Sequence, residues 1–135
     1  MENNGILLEE AMVAVLKKLD GLSDRVCPVI DIRKNNGPLV VYDQRTELQE
    51  QELSGDSGLQ TAVFQIHVLH GTYLAMRLLS ETVKNALKSL RGIEDGPLLI
   101  EAVILELATP DILEKDVQLY RRTYNVNFYY QIKEE

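Results

Sequence analysis

His67 and His70 are the only histidines in this 135-residue chain, and Cys27 is its only cysteine. Any metal site or nucleophile-base pair built on these residue types must therefore use them. On an extended segment, residues three apart point to opposite faces, so the two imidazoles share a metal only across a bulge or a strand end. The expectation is a polar face residue at His67 and a strand-end cap at His70, with no bound metal and assembly unharmed by replacing either with alanine. Cys27 stands beside Pro28 without a Cys-His signature and reads as a small buried thiol rather than a nucleophile. Glu101 and Glu106, five apart on one extended segment, are expected on opposite faces, which excludes an acid/base pair. Gly55-Asp-Ser-Gly58 has the look of a phosphate loop, but neither Gly-Lys-Ser/Thr nor a helix start follows it, so a turn is the better reading. No catalytic residue, metal ligand or cofactor site is assigned.

The charge is placed unevenly. Fourteen basic against 21 acidic side chains give a net charge of -7, which repels nucleic acid and anionic membrane on average. Asp43, Glu47, Glu50, Glu52 and Asp56 oppose the single base Arg45 between residues 43 and 60, and a second acidic stretch runs from Glu94 to Asp116. Arg77, Lys84, Lys88 and Arg91 are the bases of the segment between them, with Glu81 as its acid. Neighbouring copies are able to pair such a basic segment with an acidic one. Mean hydropathy is -0.12, and no run of about 18 uncharged apolar residues occurs. The opening Met1-Glu-Asn-Asn lacks the basic start of a secretory signal, so a cytosolic protein without a membrane segment is expected.

The elements that position these residues follow from periodicity. Leu8, Met12, Val15, Leu16 and Leu19 recur at helical spacing from Ile6 to Leu19, with Asn3 or Asn4 as cap and Gly21 as stop. Val26 to Ile32, carrying Pro28, suits an edge strand. Leu39 to Leu48 and Thr61 to Leu69 form an antiparallel pair, with Ala62, Phe64, Ile66 and Val68 on one face. Gln49 to Gln60, ending in Ser54-Gly-Asp-Ser-Gly58, is expected to be a projecting, mobile loop. Gly71-Thr72 opens a second helix whose stripe is Met76, Leu79, Val83, Ala86, Leu87 and Leu90. Leu98 to Ala108 and Tyr120 to Ile132 are strands, linked by Pro110 to Val117.

The expected architecture is one α+β domain over 1–135. Its sheet is mainly antiparallel, of four to five strands in the order αβββαββ, with both helices on one face. Val63 and Leu69 belong to the uncovered face, and leftover apolar surface of that kind marks a subunit of an assembly.

Four pieces in order, Gly37-Pro-Leu-Val-Val-Tyr42, Ser54-Gly-Asp-Ser-Gly-Leu59 running into Val63-Phe-Gln-Ile-His-Val68, Tyr73 with the helix after it, and Leu119-Tyr-Arg-Arg-Thr-Tyr-Asn-Val-Asn-Phe-Tyr-Tyr130, give the chain a likeness to a known family. From Ile6 to Ile132 it resembles the tail-completion proteins of long-tailed bacteriophages, also called tail terminators or tail-to-head joining proteins. The resemblance implies a structural virion protein rather than an enzyme. Such a protein forms a hexameric ring on the tail tube protein, halts tube growth and meets the head connector or stopper protein, while DNA passes through the ring without tight binding. It would sit in the host cytoplasm during assembly and then at the head-tail junction of a virus or prophage. The partner surface is expected at Leu48, Glu50, Glu52, Leu53, Asp56 and Leu59, and the ring interface at Val63, His67, Leu69, Arg77, Lys84 and Lys88. Two alternatives come from other classes: a small enzyme or ligand-binding domain using His67, His70 or Cys27, and a DNA-binding module using Arg77, Lys84, Lys88 and Arg91.

Overall fold

The computed structural model describes residues 4–28, 38–52 and 55–132, and their side chains except those of 4–6, 46–52 and 55–58. Among the described residues the elements are α1 (Asn4–Lys17), β1 (Val26–Pro28), β2 (Leu39–Glu52), β3 (Gly55–His70), α2 (Tyr73–Lys88), β4 (Glu94–Asp95), β5 (Leu98–Leu107), β6 (Ile112–Glu114) and β7 (Leu119–Ile132). The strands form one sheet in the order β1-β2-β3-β7-β5-β4, with β6 also paired to β7.

The helices form where the apolar spacing demands. Leu8, Met12 and Leu16 recur every fourth residue of α1 and are fully buried. In α2 the buried positions are Met76, Ser80, Val83 and Leu87, and the buried Ser80 hydroxyl donates to the Met76 sulfur at 3.3 Å. Thr72 caps α2 by accepting from the Ala75 N–H at 3.1 Å, which satisfies one of the orphan donors of the first turn. After α2, Gly92 takes φ +81°, a conformation open to glycine at little cost, and its N–H donates to the Ile100 carbonyl at 2.8 Å.

Strand alternation then separates two faces. Ala62, Phe64, Ile66 and Val68 of β3, with Tyr124, Val126, Phe128 and Tyr130 of β7, meet the helices in the main core. Phe64 and Phe128 pack edge to face at 5.9 Å. The opposite parity forms an uncovered face, since α1 and α2 contribute to the main core alone.

The chain is α+β, but the expected strand count and order are corrected. Among the described residues there are seven strands in the order αβββαββββ, and β1 runs parallel to β2, with Val26 opposite Val40 and Pro28 opposite Tyr42. The two additional strands are short pieces that periodicity cannot reveal: β4 is a two-residue return onto β5, and β6 lies inside the stretch expected to be a plain link. Thr109, Pro110 and Asp111 interrupt what is otherwise one line of pairing along β7, with β5 on one side of the break and β6 on the other.

The expected loop at Gln49–Gln60 is corrected too. Backbone pairing continues through Gln49 opposite Gln60, Gln51 opposite Asp56 and Glu52 opposite Gly55. Low strand propensity is overridden by a hairpin register already established lower down. Leu53 and Ser54 lie outside the described residues, as do Asn3 and positions 29–32 of the expected edge strand.

Candidate interaction site

On the uncovered face, neighbouring rows of β2, β3 and β7 carry a polar network. Arg45 Nη2 donates to Gln65 Oε1 at 2.9 Å, and Gln65 Nε2 donates to Asn125 Oδ1 at 3.3 Å. His67 Nδ1 lies 2.9 Å from Thr123 Oγ1, and its Nε2 lies 3.6 Å from Asp43 Oδ2. Asp43 as a carboxylate only accepts, so the neutral imidazole that suits both neighbours carries its proton on Nε2 and accepts from the Thr123 hydroxyl. Burial pushes the His67 pKa down, and the Arg121 charge lowers it further, against the opposing pull of Asp43. Thr123 has the position of a nucleophile beside a histidine, yet it is only 3% exposed, which denies a substrate access to its hydroxyl.

The sign of the pH effect follows. A histidine held below its ordinary value of 6.5 leaves the unfolded chain binding more protons than the native one as pH falls through that value. Stability from this site is therefore complete above about 6.5 and declines toward the lower folded pKa. In His67→Gln, melting temperature plotted against pH from 7.5 to 5 is expected to flatten relative to the parent chain. An unchanged slope would remove His67 as its source.

His70 stands apart, at the end of β3 opposite Tyr120, where its Nδ1 accepts from the Gly71 N–H at 2.8 Å. Cys27, on β1, is half-buried and unpaired. Of the three residues of the enzyme alternative, Cys27 and His67 share one row across β1, β2 and β3 with Val41 between them, and His70 lies outside that row. Glu101 and Glu106 correct the sequence expectation in a different way. A register shift between Ile100 and Ala102 adds one residue to β5, and the extra residue reverses the parity that follows. Glu101 accepts from Gln131 Nε2 at 2.7 Å and Glu106 faces Asn125, so both carboxylates lie on the uncovered face.

Leu69 is fully buried in a small second cluster with Leu39, Val41 and Leu119. Val117 packs against that cluster at the approach to β7. It offers no surface to a neighbour, whereas Val63 and His67 remain partly exposed. The most exposed apolar groups among the described residues are Leu74 and Leu78 of α2 at 68% and 63%, and Leu107 and Ile104 of β5 at 53% and 52%. Arg77, Lys84 and Lys88 follow one another at i, i+7 and i+11 and make a basic stripe beside Leu74 and Leu78. Arg77 Nη1 donates to the Tyr73 hydroxyl at 3.4 Å, and Lys84 stands 3.9 Å from Glu81.

A cluster that sequence reasoning missed sits where α2 begins. Arg122 grips Asp111 with two parallel bonds, Nε to Oδ1 at 2.9 Å and Nη2 to Oδ2 at 2.8 Å. The Tyr73 hydroxyl donates to the same carboxylate at 3.2 Å, and its ring meets Tyr120 edge-on at 5.9 Å. The bonds from Arg122 hold the Asp111 carboxyl below its usual range. Asp111 follows Pro110 in an apparent linker, and nothing in local sequence ties it to a residue 11 positions later.

A groove of about 460 Å3 beside α1 is lined by Glu9, Val13, Ala14, Lys17 and Tyr42. The Tyr42 hydroxyl donates to Glu9 Oε2 at 3.1 Å, and burial together with that bond pushes the phenol up to about 12. Among the described residues no three His, Cys, Asp or Glu side chains gather as metal ligands, and no helix is long and apolar enough to cross a membrane.

Of the expected partner surface, Leu48, Glu52 and Asp56 occupy paired strand positions toward the hairpin tip, Glu50 falls at the register shift between Gln49 and Gln51, Leu59 stands opposite Gln131, and Leu53 is outside the described residues. No protein-family model matches the chain, and no curated protein is significantly similar to it.

Proposed function

We propose that this chain is a structural subunit of a long-tailed bacteriophage, a tail-completion protein that closes into a hexameric ring on the end of the tail tube. The ring stops tube growth and offers the surface on which the head connector or stopper protein docks. The observation that carries the reading is the hairpin of β2 and β3, which continues past the last residue of β3 paired to β7, Leu59. A sheet extended into an unsupported arm suits contact outside its own domain. The exposed Leu74, Leu78 and Ile104 add apolar contact area on α2 and on the opposite face of the sheet. The motif order from Ile6 to Ile132 supplies the family.

On this reading the work is binding and geometry, and the protein is not an enzyme. It acts in the host cytoplasm during assembly and at the head-tail junction afterwards. Electron microscopy of particles made with and without the protein tests it: its loss should leave headless tails of irregular length beside full heads. Normal particles without the protein would overturn the reading.

The duplex threading such a ring must slide. A net charge of -7 releases few counterions from DNA, so the isolated chain is expected to bind duplex no more tightly than about 1 μM at physiological salt. Submicromolar binding that weakens steeply with salt would favour the DNA-binding alternative built on Arg77, Lys84, Lys88 and Arg91.

A further inference from the structure

β5 borders the sheet over most of its length. β4 pairs with it only at Leu98 and Leu99, and the residues before β4 reach only Ile100, whose N–H donates to the Ile93 carbonyl at 3.0 Å. From Ala102 to Leu107 its inner side is paired to β7, and among the described residues no strand lies on its outer side. The ladder gives the direction of the free groups. The Ala108 N–H donates to the Thr123 carbonyl at 2.9 Å, so the alternation of an antiparallel pair turns the backbone groups of Ala102, Ile104 and Glu106 toward β7 as well. Val103, Leu105 and Leu107 therefore aim their N–H and C=O groups outward.

Proteins blunt an open edge by keeping it short, by a bulge within it, or by proline or lysine. This stretch has none of these. Its six residues span about 20 Å, the register shift precedes it, Pro110 follows it, and no lysine or arginine occurs between Arg91 and Lys115. Apolar groups stand on both faces beside the edge. Ile104 on the uncovered face is 52% exposed and Leu107, opposite Tyr124 of the main core, is 53% exposed, while Val103 and Leu105 are half-buried against that core.

Charge chooses the occupant. Glu94, Asp95, Glu101 and Glu106 are exposed along β4 and β5. The β5 edge of a second copy would bring the same four carboxylates against them, which is unfavourable. The bases on the described strands are Arg45, Arg121 and Arg122, and each is already held by an acid, Asp43, Glu114 and Asp111 respectively.

We infer that the outer edge of β5 takes up an extended basic segment of a different protein as an additional antiparallel strand. Its backbone bonds to Val103, Leu105 and Leu107, and its bases lie beside Glu101 and Glu106. Main-chain bonds supply the affinity, and the carboxylates select the partner. The inference goes beyond the proposed ring and does not depend on it.

Amide exchange and peptide titration of the full chain test it. The probe is an eight-residue peptide, capped at both ends, that alternates lysine with valine. In the free protein the N–H groups of Val103, Leu105 and Leu107 should exchange at least tenfold faster than those of Ile104 and Glu106, and saturating peptide should slow those three at least tenfold. The peptide with glutamate in place of lysine should bind at least tenfold more weakly. Glu101→Lys with Glu106→Lys should reverse that preference, with circular dichroism matching the parent. Valines opposite Val103, Leu105 and Leu107 put the lysines on the face of Glu106, so N-methylation of the valines should abolish binding. No binding at millimolar peptide overturns the inference, as does binding that leaves those three exchange rates unchanged or that ignores the charge of the peptide. Protection of the same three groups in the free protein that grows with its concentration would make a second copy the occupant and overturn it too. The microscopy that judges the ring is independent of all these results.

Discussion

Replacing Glu50 to Ser57 by a two-residue turn is expected to leave the monomer folded and to abolish infectious particles. The removed segment lies beyond Leu59, the last β3 residue paired with β7 toward the tip, so the main core of Phe64, Ile66, Val126, Phe128 and Tyr130 loses nothing. Deleting surface of this kind costs less than about 0.5 kcal/mol, and melting temperature and circular dichroism should match the parent. Assembly should not survive, because the arm supplies contact area that no other described element projects beyond the sheet. Plaque counts and electron microscopy of the lysate read the result. Infectious particles at the parental level would show that the arm serves neither ring closure nor head docking.

The second large effect is on stability, at the clamp between Arg122 and Asp111. Their side chains are only 11% and 17% exposed, and the paired bonds of 2.9 and 2.8 Å satisfy both carboxylate oxygens. Removing the cation alone, in Arg122→Met, strands a carboxylate that is mostly buried and still takes the Tyr73 hydroxyl. The expected cost is about 3 kcal/mol, the lower end for breaking a buried pair, or roughly 10 °C in melting temperature for a domain of this size. A loss below about 0.5 kcal/mol would place the pair among surface contacts of no consequence.

The clamp also sets a limit on acid stability. The Asp111 carboxyl is held below its ordinary value of 3.8 by its bonds from Arg122, outweighing the opposing effect of burial. A group depressed in the native state contributes stability that is complete above the unfolded pKa and is lost as pH falls through the folded one. Between pH 5 and 2, Asp111→Asn should therefore lose less of its remaining stability than the parent does. Thermal melts across that range decide it.

Several elements were legible because their signals need only near neighbours. Leu8, Met12 and Leu16 mark α1 and the Met76–Leu87 stripe marks α2 through a period near 3.6, while Phe64, Ile66 and Val68 and the Tyr124–Tyr130 alternation mark β3 and β7 through a period of two. The opposite aims of His67 and His70 follow from the same parity. Glu101 and Glu106 did not obey it, because the extra residue after Ile100 is visible only in the register against β7. The arm was hidden for another reason: Glu, Gln, Gly and Asp are poor strand formers, and pairing reached them by extension from Leu39–Leu48. Asp111 gave no signal, since its partner is brought to it by the break between β5 and β6.

The amino-acid sequence by itself determined the two helices, the central strand pair, the composition of the main core and the separation of acidic from basic segments, all consequences of local period and residue type. Folding in three dimensions decided which residues of each face remain available. Leu69, which periodicity assigns to the uncovered face, is closed off by Leu119 and Val117, and the stretch read as a loop is a strand pair that outruns its neighbours. The physical reason is that a sheet's edges and overhangs depend on strand order and register between distant segments. Those are set by the balance of all pairings at once, and no window of sequence contains that balance.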